Sequence, residues 1–136
     1  MKLLIVDDDP TTREILRNIL TARPGCQVTV AADGKKGWEL LDDPGYSFDV
    51  VFLDLMMPEP DGFEVLRRIR ASSFLQSLKV VLLTGVNDRA SVTRAIQLGA
   101  RHYLVKPCNE GLINAKLDQI QPREKPGLDR VMAGVT

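Results

Sequence analysis

At 136 residues, 44% of them hydrophobic, the chain has enough apolar mass for one packed domain and little room for a second, which excludes wholesale disorder. Lys plus Arg total 18 and Asp plus Glu total 18, a formal net charge of +0, which argues against direct nucleic-acid binding because that shows as a basic surplus. No apolar run approaches membrane-spanning length and no secretory signal precedes the first apolar run, so the chain reads as cytoplasmic, with Cys26 and Cys108 as reduced thiols lacking zinc or redox spacing.

In chain order, Met1-Lys2 leads straight into residues 3–6 (Leu-Leu-Ile-Val), too short for an ordinary helix and aliphatic enough for a buried strand. Asp7-Asp8-Asp9 follows; Asp9-Pro10 supplies a helix N-cap and a proline at the first helical position, and Ile15, Leu16, Ile19 and Leu20 form that helix's apolar stripe. Residues 28–31 read as a second strand, and Asp33-Gly34 opens a second helix on which Trp38 packs toward the sheet. A third strand over 50–55 carries Asp54. Asp61-Gly62 opens a third helix with Phe63, Leu66 and Ile69 facing inward and Arg67, Arg68 and Arg70 on its solvated side. Residues 80–83 form a fourth strand followed by Thr84, Gly99 stands where a helix end needs a left-handed residue, and residues 103–105 form a fifth strand followed by Lys106. Asn109-Glu110 opens a last helix with Ile113, Leu117 and Ile120 on one face. Pro122, Pro126 and Gly127 then break regular structure, so the domain is expected over 1–121 and a tail or truncated linker over 122–136.

Five such βα alternations imply an α/β fold, a parallel sheet covered by helices on both faces. The first, third and fourth strands are almost wholly apolar, as central strands should be, whereas the second (Gln27-Val28-Thr29-Val30) and fifth (His102-Tyr103-Leu104-Val105) suit edges. Edges at strands two and five match the doubly wound, five-stranded order 2-1-3-4-5 of flavodoxin-like (βα)5 sheets. Ligands of such sheets bind beyond the carboxyl ends of the strands where the order reverses, here between strands one and three.

That rim receives Asp7, Asp8 and Asp9 from strand one, Asp54 from strand three, Thr84 from strand four and Lys106 from strand five. Asp9 is read as the helix cap alone. Taken singly, Asp54 is a strand-end turn residue, Thr84 a loop cap and Lys106 a surface charge; their joint placement at successive strand ends points to a site. Carboxylates crowded together repel, and a hard divalent cation such as Mg2+ with oxygen ligands relieves the repulsion. A carboxylate can attack phosphorus to give an aspartyl phosphate, with an ammonium and a hydroxyl ready to bind the new phosphate oxygens.

Leu4-Ile5-Val6-Asp7-Asp8-Asp9, Val51-Phe52-Leu53-Asp54-Leu55-Met56-Met57-Pro58, Asp61-Gly62, Leu82-Leu83-Thr84-Gly85 and Tyr103-Leu104-Val105-Lys106-Pro107 together resemble the receiver domain of bacterial two-component response regulators, over about residues 2 to 120. The resemblance implies Asp54 as phosphoacceptor, Asp8 as a direct Mg2+ ligand with Asp7 acting through water, and the Met56 backbone carbonyl as a further ligand. It implies Thr84 and Lys106 as phosphate-binding groups, Thr84 and Tyr103 as switch residues, and a Lys106-Pro107 peptide that is often cis. It also implies a sensor histidine kinase or phosphotransfer protein as phosphoryl donor, a signalling role rather than that of an enzyme, and a responsive face made by the fourth helix, fifth strand and fifth helix, through which the domain can self-associate. Reversing a 1:99 equilibrium takes about 5.5 kcal/mol, more than the ~1.5–3 kcal/mol of one charge-assisted hydrogen bond from Thr84. Lys106 and Tyr103 are therefore expected to share the switching, and Tyr103→Ala should weaken activation as well as Thr84→Ala, as read by phosphorylation-dependent binding.

The chain departs from the family pattern at several points. Glu59-Pro60 replaces a common glycine after strand three, and Arg101-His102 replaces an acidic pair that supports dimers in DNA-binding relatives. Cys108 replaces an aromatic, and Met56 and Val86 stand where polar residues position hydrolytic water, so self-dephosphorylation is expected to be slow. His102, the sole histidine, reads as a surface residue. Two other functions compete: a haloacid-dehalogenase-type phosphatase using Asp7, whose opening Asp7-x-Asp9 motif is present but whose later acidic pair is missing, and a receiver-like module that no longer takes phosphate.

Overall fold

The computed structural model describes residues 1–85 and 87–120; the expected tail at 122–136, its boundary at 121 and the expectation placed on Val86 lie outside the described residues. The elements alternate as β1 (Lys2–Val6), α1 (Pro10–Thr21), β2 (Gln27–Ala31), α2 (Gly34–Leu41), β3 (Val50–Asp54), α3 (Gly62–Ala71), a short 3-10 turn (Ser73–Leu75), β4 (Lys79–Thr84), α4 (Arg89–Gln97), β5 (His102–Val105) and α5 (Glu110–Ile120). All pairings are parallel and the strand order is β2-β1-β3-β4-β5.

Successive strand side chains point to opposite faces, which divides the core in two. Leu4, Val6, Val51, Leu53, Val80 and Leu82 pack with residues of α2, α3 and α4. Leu3, Ile5, Val50, Phe52, Val81 and Leu83 pack with Leu16 and Leu20 of α1 and Ile113 and Leu117 of α5. β3 is buried along its whole length, while β2 and β5 are partly exposed, as edge strands must be.

Short polar side chains start the helices by accepting backbone N–H groups that have no partner inside the helix. Asp9 accepts from Thr11 N at 3.1 Å, Asp33 from Lys36 N at 2.8 Å, Asp61 from Glu64 N at 2.9 Å and Asn109 from Leu112 N at 2.9 Å. Asp88 does the same for α4, accepting from Ser91 N at 3.4 Å. Gly99 has a φ of 95° just past α4, the left-handed conformation expected of it.

Two local readings need correction, those of the end of β3 and of His102, and a third is extended. β3 stops at Asp54; Leu55, expected inside the strand, donates its N–H to Leu83 O at 3.2 Å but stands beyond the ladder. The arginines of α3 are more than a solvated face: Arg67 and Arg68 pair with Glu64, Arg68 also lies 5.9 Å over the Trp38 ring, and Arg70 Nη2 donates to Gly99 O at 2.8 Å. His102 is only half-exposed and its Nδ1 is buried.

The start of α3 presses against the end of β3. A Cβ at Gly62 would lie 2.2 Å from Asp54 O and 2.5 Å from Leu55 Cα, both backbone atoms. Gly62→Ala is therefore expected to destabilise the fold by about 1–3 kcal/mol, as overpacking does, measured by urea unfolding.

Candidate functional site

At the carboxyl ends of β1 and β3, Asp7, Asp8 and Asp54 each offer a carboxylate oxygen within 4.8 Å of the others. Asp7 and Asp54 are buried and Asp8 is exposed. Asp7 is fixed on all sides: its Oδ1 accepts from Asp9 N at 2.8 Å, its carbonyl accepts from Arg13 Nη1 at 2.8 Å, and its Oδ2 faces Lys106 Nζ at 2.8 Å as an ion pair without an aligned hydrogen bond. Asp54 Oδ1 accepts from Met56 N at 3.1 Å and its Oδ2 lies 3.4 Å from the same Lys106 Nζ. One ammonium thus sits between two buried carboxylates.

β5 delivers this ammonium. Lys106 N donates to Thr84 O at 2.7 Å, continuing the β4–β5 pairing one step past the strand, and the Lys106–Pro107 peptide is cis, as the motif suggested. Glu59–Pro60 is cis as well, which nothing in the sequence reading anticipated.

The electrostatics follow from this crowding. Burial, then the neighbouring Asp7 charge, pushes the Asp54 carboxyl up to about 7 against the pull of Lys106. Burial alone would lower Lys106, but its contacts with Asp7 and Asp54 outweigh that and hold it above its usual range. Asp9, fully exposed, is lowered by the Thr12 hydroxyl and the Thr11 N–H that it caps, which fits its reading as a cap rather than a site residue.

Thr84 is buried beside this cluster, and its hydroxyl donates to Gly85 O at 3.2 Å. Tyr103 points outward from β5 and is 45% exposed. Met56 is 64% exposed on the loop leaving β3, and its N–H anchors Asp54. The rim therefore brings together Asp7, Asp8, Asp54 and Lys106, with Thr84 and Met56 adjoining.

Arg13 is the site residue that sequence reading missed. A cation in the first turn of a helix opposes the helix dipole, and that misfit is the signal that could have found it. Its guanidinium folds back one turn to the Asp7 carbonyl and adds positive charge behind the acidic pair. A phosphatase built on Asp7 is not favoured here: both Asp7 oxygens are engaged, Oδ1 by Asp9 N and Oδ2 by the closer approach of Lys106, and the later acidic pair of that family is missing.

The donor set suits a hard divalent cation. Three carboxylates meet where a single lysine balances two of them, and the solvent-facing one leaves a route for a hydrated ion. Among the described residues no helix is long and apolar enough to cross a membrane.

Comparison with known proteins agrees with this geometry. The family model described as "Response regulator receiver domain" matches residues 3–118. The chain is 32% identical over 120 residues to a chemotaxis protein CheY homolog of Campylobacter jejuni, covering 88% of this chain and 92% of that one. It is 37% identical over 133 residues to the transcriptional regulatory protein AfsQ1 of Streptomyces coelicolor, covering 97% of this chain and 56% of that one. Among solved structures, the chemotaxis response regulator CheY4 of Vibrio cholerae superimposes with a TM-score of 0.79 at 28% identity, covering 88% of this chain and 97% of that one. With the acidic rim at the switch of a 2-1-3-4-5 sheet and a family match across both ends of that sheet, the chain belongs to the response regulator receiver domains, CheY-like signalling domains of two-component systems.

Proposed function

We propose that this receiver domain accepts a phosphoryl group on a carboxylate oxygen of Asp54 from a phosphohistidine of a sensor kinase or phosphotransfer protein. The observation that carries the reading is the Lys106 ammonium set 2.8 Å from Asp7 and 3.4 Å from Asp54. An Asp54 oxygen attacks phosphorus, the P–N bond breaks, and its electron pair stays on the imidazole nitrogen; the ring leaves as neutral imidazole because its other nitrogen carries a proton in the reacting phosphohistidine. Asp8, Asp54 and the Met56 carbonyl would hold Mg2+, with Asp7 acting through a water. When bound, the ion draws negative charge from the phosphoryl oxygens.

Lys106 can follow the developing charge without leaving Asp7, because it already touches both carboxylates. The Thr84 hydroxyl would exchange its Gly85 acceptor for a phosphate oxygen, a stronger, charge-assisted bond. Tyr103 stands one residue from Leu104 on β5, and Ile96, Tyr103, Val105 and Leu112 are exposed on the α4-β5-α5 side. That apolar surface supports reading this face as the one through which the phosphorylated state meets a partner or a second copy.

Incubation with Mg2+ and a small acyl phosphate, followed by intact mass, tests the reading: one phosphoryl group should be added to the chain and none to Asp54→Asn. Labelling that survives Asp54→Asn, or no labelling of the parent chain, would refute it; the second result would favour a phosphate-independent module.

Lifetime is a separate expectation. The exposed thioether of Met56 offers no strong hydrogen bond to an attacking water. Met56→Asn is expected to speed hydrolysis of the aspartyl phosphate roughly tenfold by positioning that water, followed as the decay of the labelled mass.

A further inference from the structure

The opposite end of the sheet carries a second concentration of charge. Lys79 opens β4, His102 opens β5, Arg101 precedes it, and Arg70 reaches in from the last turn of α3. They line a cleft of about 370 Å3, and among the described residues none that lines it is acidic. We propose that this cleft binds a small phosphorylated anion, its phosphate taken by Arg70, Arg101 and Lys79.

Three observations separate it from an ordinary solvated surface. Among the described residues, Arg70, Lys79 and Arg101 form no ion pair, and although other surface cations such as Lys35, Lys36 and Arg89 are also unpaired, these three converge on one cleft. Asp49 accepts the Lys79 N–H through its carbonyl at 3.1 Å, but its carboxylate is taken up by Lys2 N at 2.7 Å. The Arg70 guanidinium is oriented by the backbone: Nη2 donates to Gly99 O at 2.8 Å, and the bare Gly99 allows the approach, since a Cβ there would stand 3.3 Å from Nε. An anchored guanidinium loses less freedom on binding than a free one, and its remaining N–H groups suit phosphate geometry.

The cations of the cleft also act on its histidine. His102 is lowered first by burial and then by the charges of Lys116, Lys79 and Arg101, and its Nδ1 has no hydrogen-bond partner. Cations gathered in a concavity raise the local concentration of anions, and the volume falls in the range of small-ligand sites. The six residues of β4 from Lys79 to Thr84 put the cleft about 17 Å from the acidic rim at ~3.3 Å per residue, so the two ends bind different species.

The test uses the full chain without divalent cation, titrated with inorganic pyrophosphate and with ADP, by calorimetry and by backbone amide NMR. Saturable one-site binding is expected, with shifts at residues 70, 79, 99, 101 and 102, and at least a tenfold weaker affinity in the Arg70→Gln/Arg101→Gln double variant. Lys79→Gln is the second variant if the first unfolds. Equal affinities for the two probes would assign recognition to the phosphates alone, and tighter ADP binding would add the organic part; both uphold the site. Shifts that do not saturate, that spread across the surface, or that survive the substitutions would overturn it.

Discussion

Without divalent cation, Asp54→Asn is expected to be more stable than the parent chain above pH 7, by about 2–4 kcal/mol in urea unfolding, and to lose that advantage as pH falls toward 4. The cause is the burial of Asp54 beside Asp7, which raises its carboxyl from 3.8 to about 7. Between those values the folded chain holds a proton that the unfolded chain has released. Stability of the parent therefore falls as pH rises through this window, and the full cost of the ionised carboxylate is present above it. Asparagine has no such titration, still accepts from Met56 N, and leaves Lys106 paired with Asp7. A parent chain and variant of equal stability at both pH 4 and pH 8 would mean that Asp54 is hydrated and unperturbed. The proposed phosphoryl acceptance and folding thus pull against each other at this residue, a common arrangement at functional sites.

The second large effect belongs to Lys106. Lys106→Met removes the cation that touches both buried carboxylates and leaves Asp7 and Asp54 facing each other. Breaking a buried pair by deleting one partner costs about 3–5 kcal/mol, and because Lys106 is partly solvated the expected loss is about 2–4 kcal/mol at pH 8. The loss should shrink on acidification from alkaline pH, because Lys106 lowers the Asp54 carboxyl and without it that group takes up its proton at a higher pH than in the parent; it should also shrink on adding Mg2+, which should raise the melting temperature of the variant more than that of the parent. A variant with the parent's stability in EDTA at pH 8 would show that the carboxylates are balanced by something other than this lysine.

The sheet was legible in the sequence because burial differs by strand. Val50 to Leu53 are apolar on both faces and could only be central, and the glutamine and threonine of β2 could only be marginal. The caps were legible too, since Asp9, Asp33, Asp61 and Asn109 each precede a helix in the spacing their hydrogen bonds require; Asp88, which caps α4 from a weakly apolar stretch, escaped notice. That Asp7, Asp8, Asp54 and Lys106 share one rim was legible, because strand ends in such a sheet converge on one edge. What stayed hidden depends on the path of long side chains. Nothing in the order of residues says that Lys106 bridges Asp7 and Asp54, that Arg13 returns to the Asp7 carbonyl, or that Arg68 lies over Trp38. The end of β3 was misjudged by one residue, since Leu55 is as apolar and as buried as its neighbours and the ladder ends for geometric reasons alone.

Arg23, near the end of α1, fixes where a working fragment of this domain can stop. Its buried guanidinium donates to Asn114 Oδ1 and Asp118 Oδ1 of α5, both at 2.9 Å, across more than 90 positions of sequence. Cutting within α5 before Asp118 would leave this guanidinium without its carboxylate, and cutting after the last strand would also remove Ile113 and Leu117 from the core, so only a boundary beyond α5 keeps α1 and α5 tied to each other.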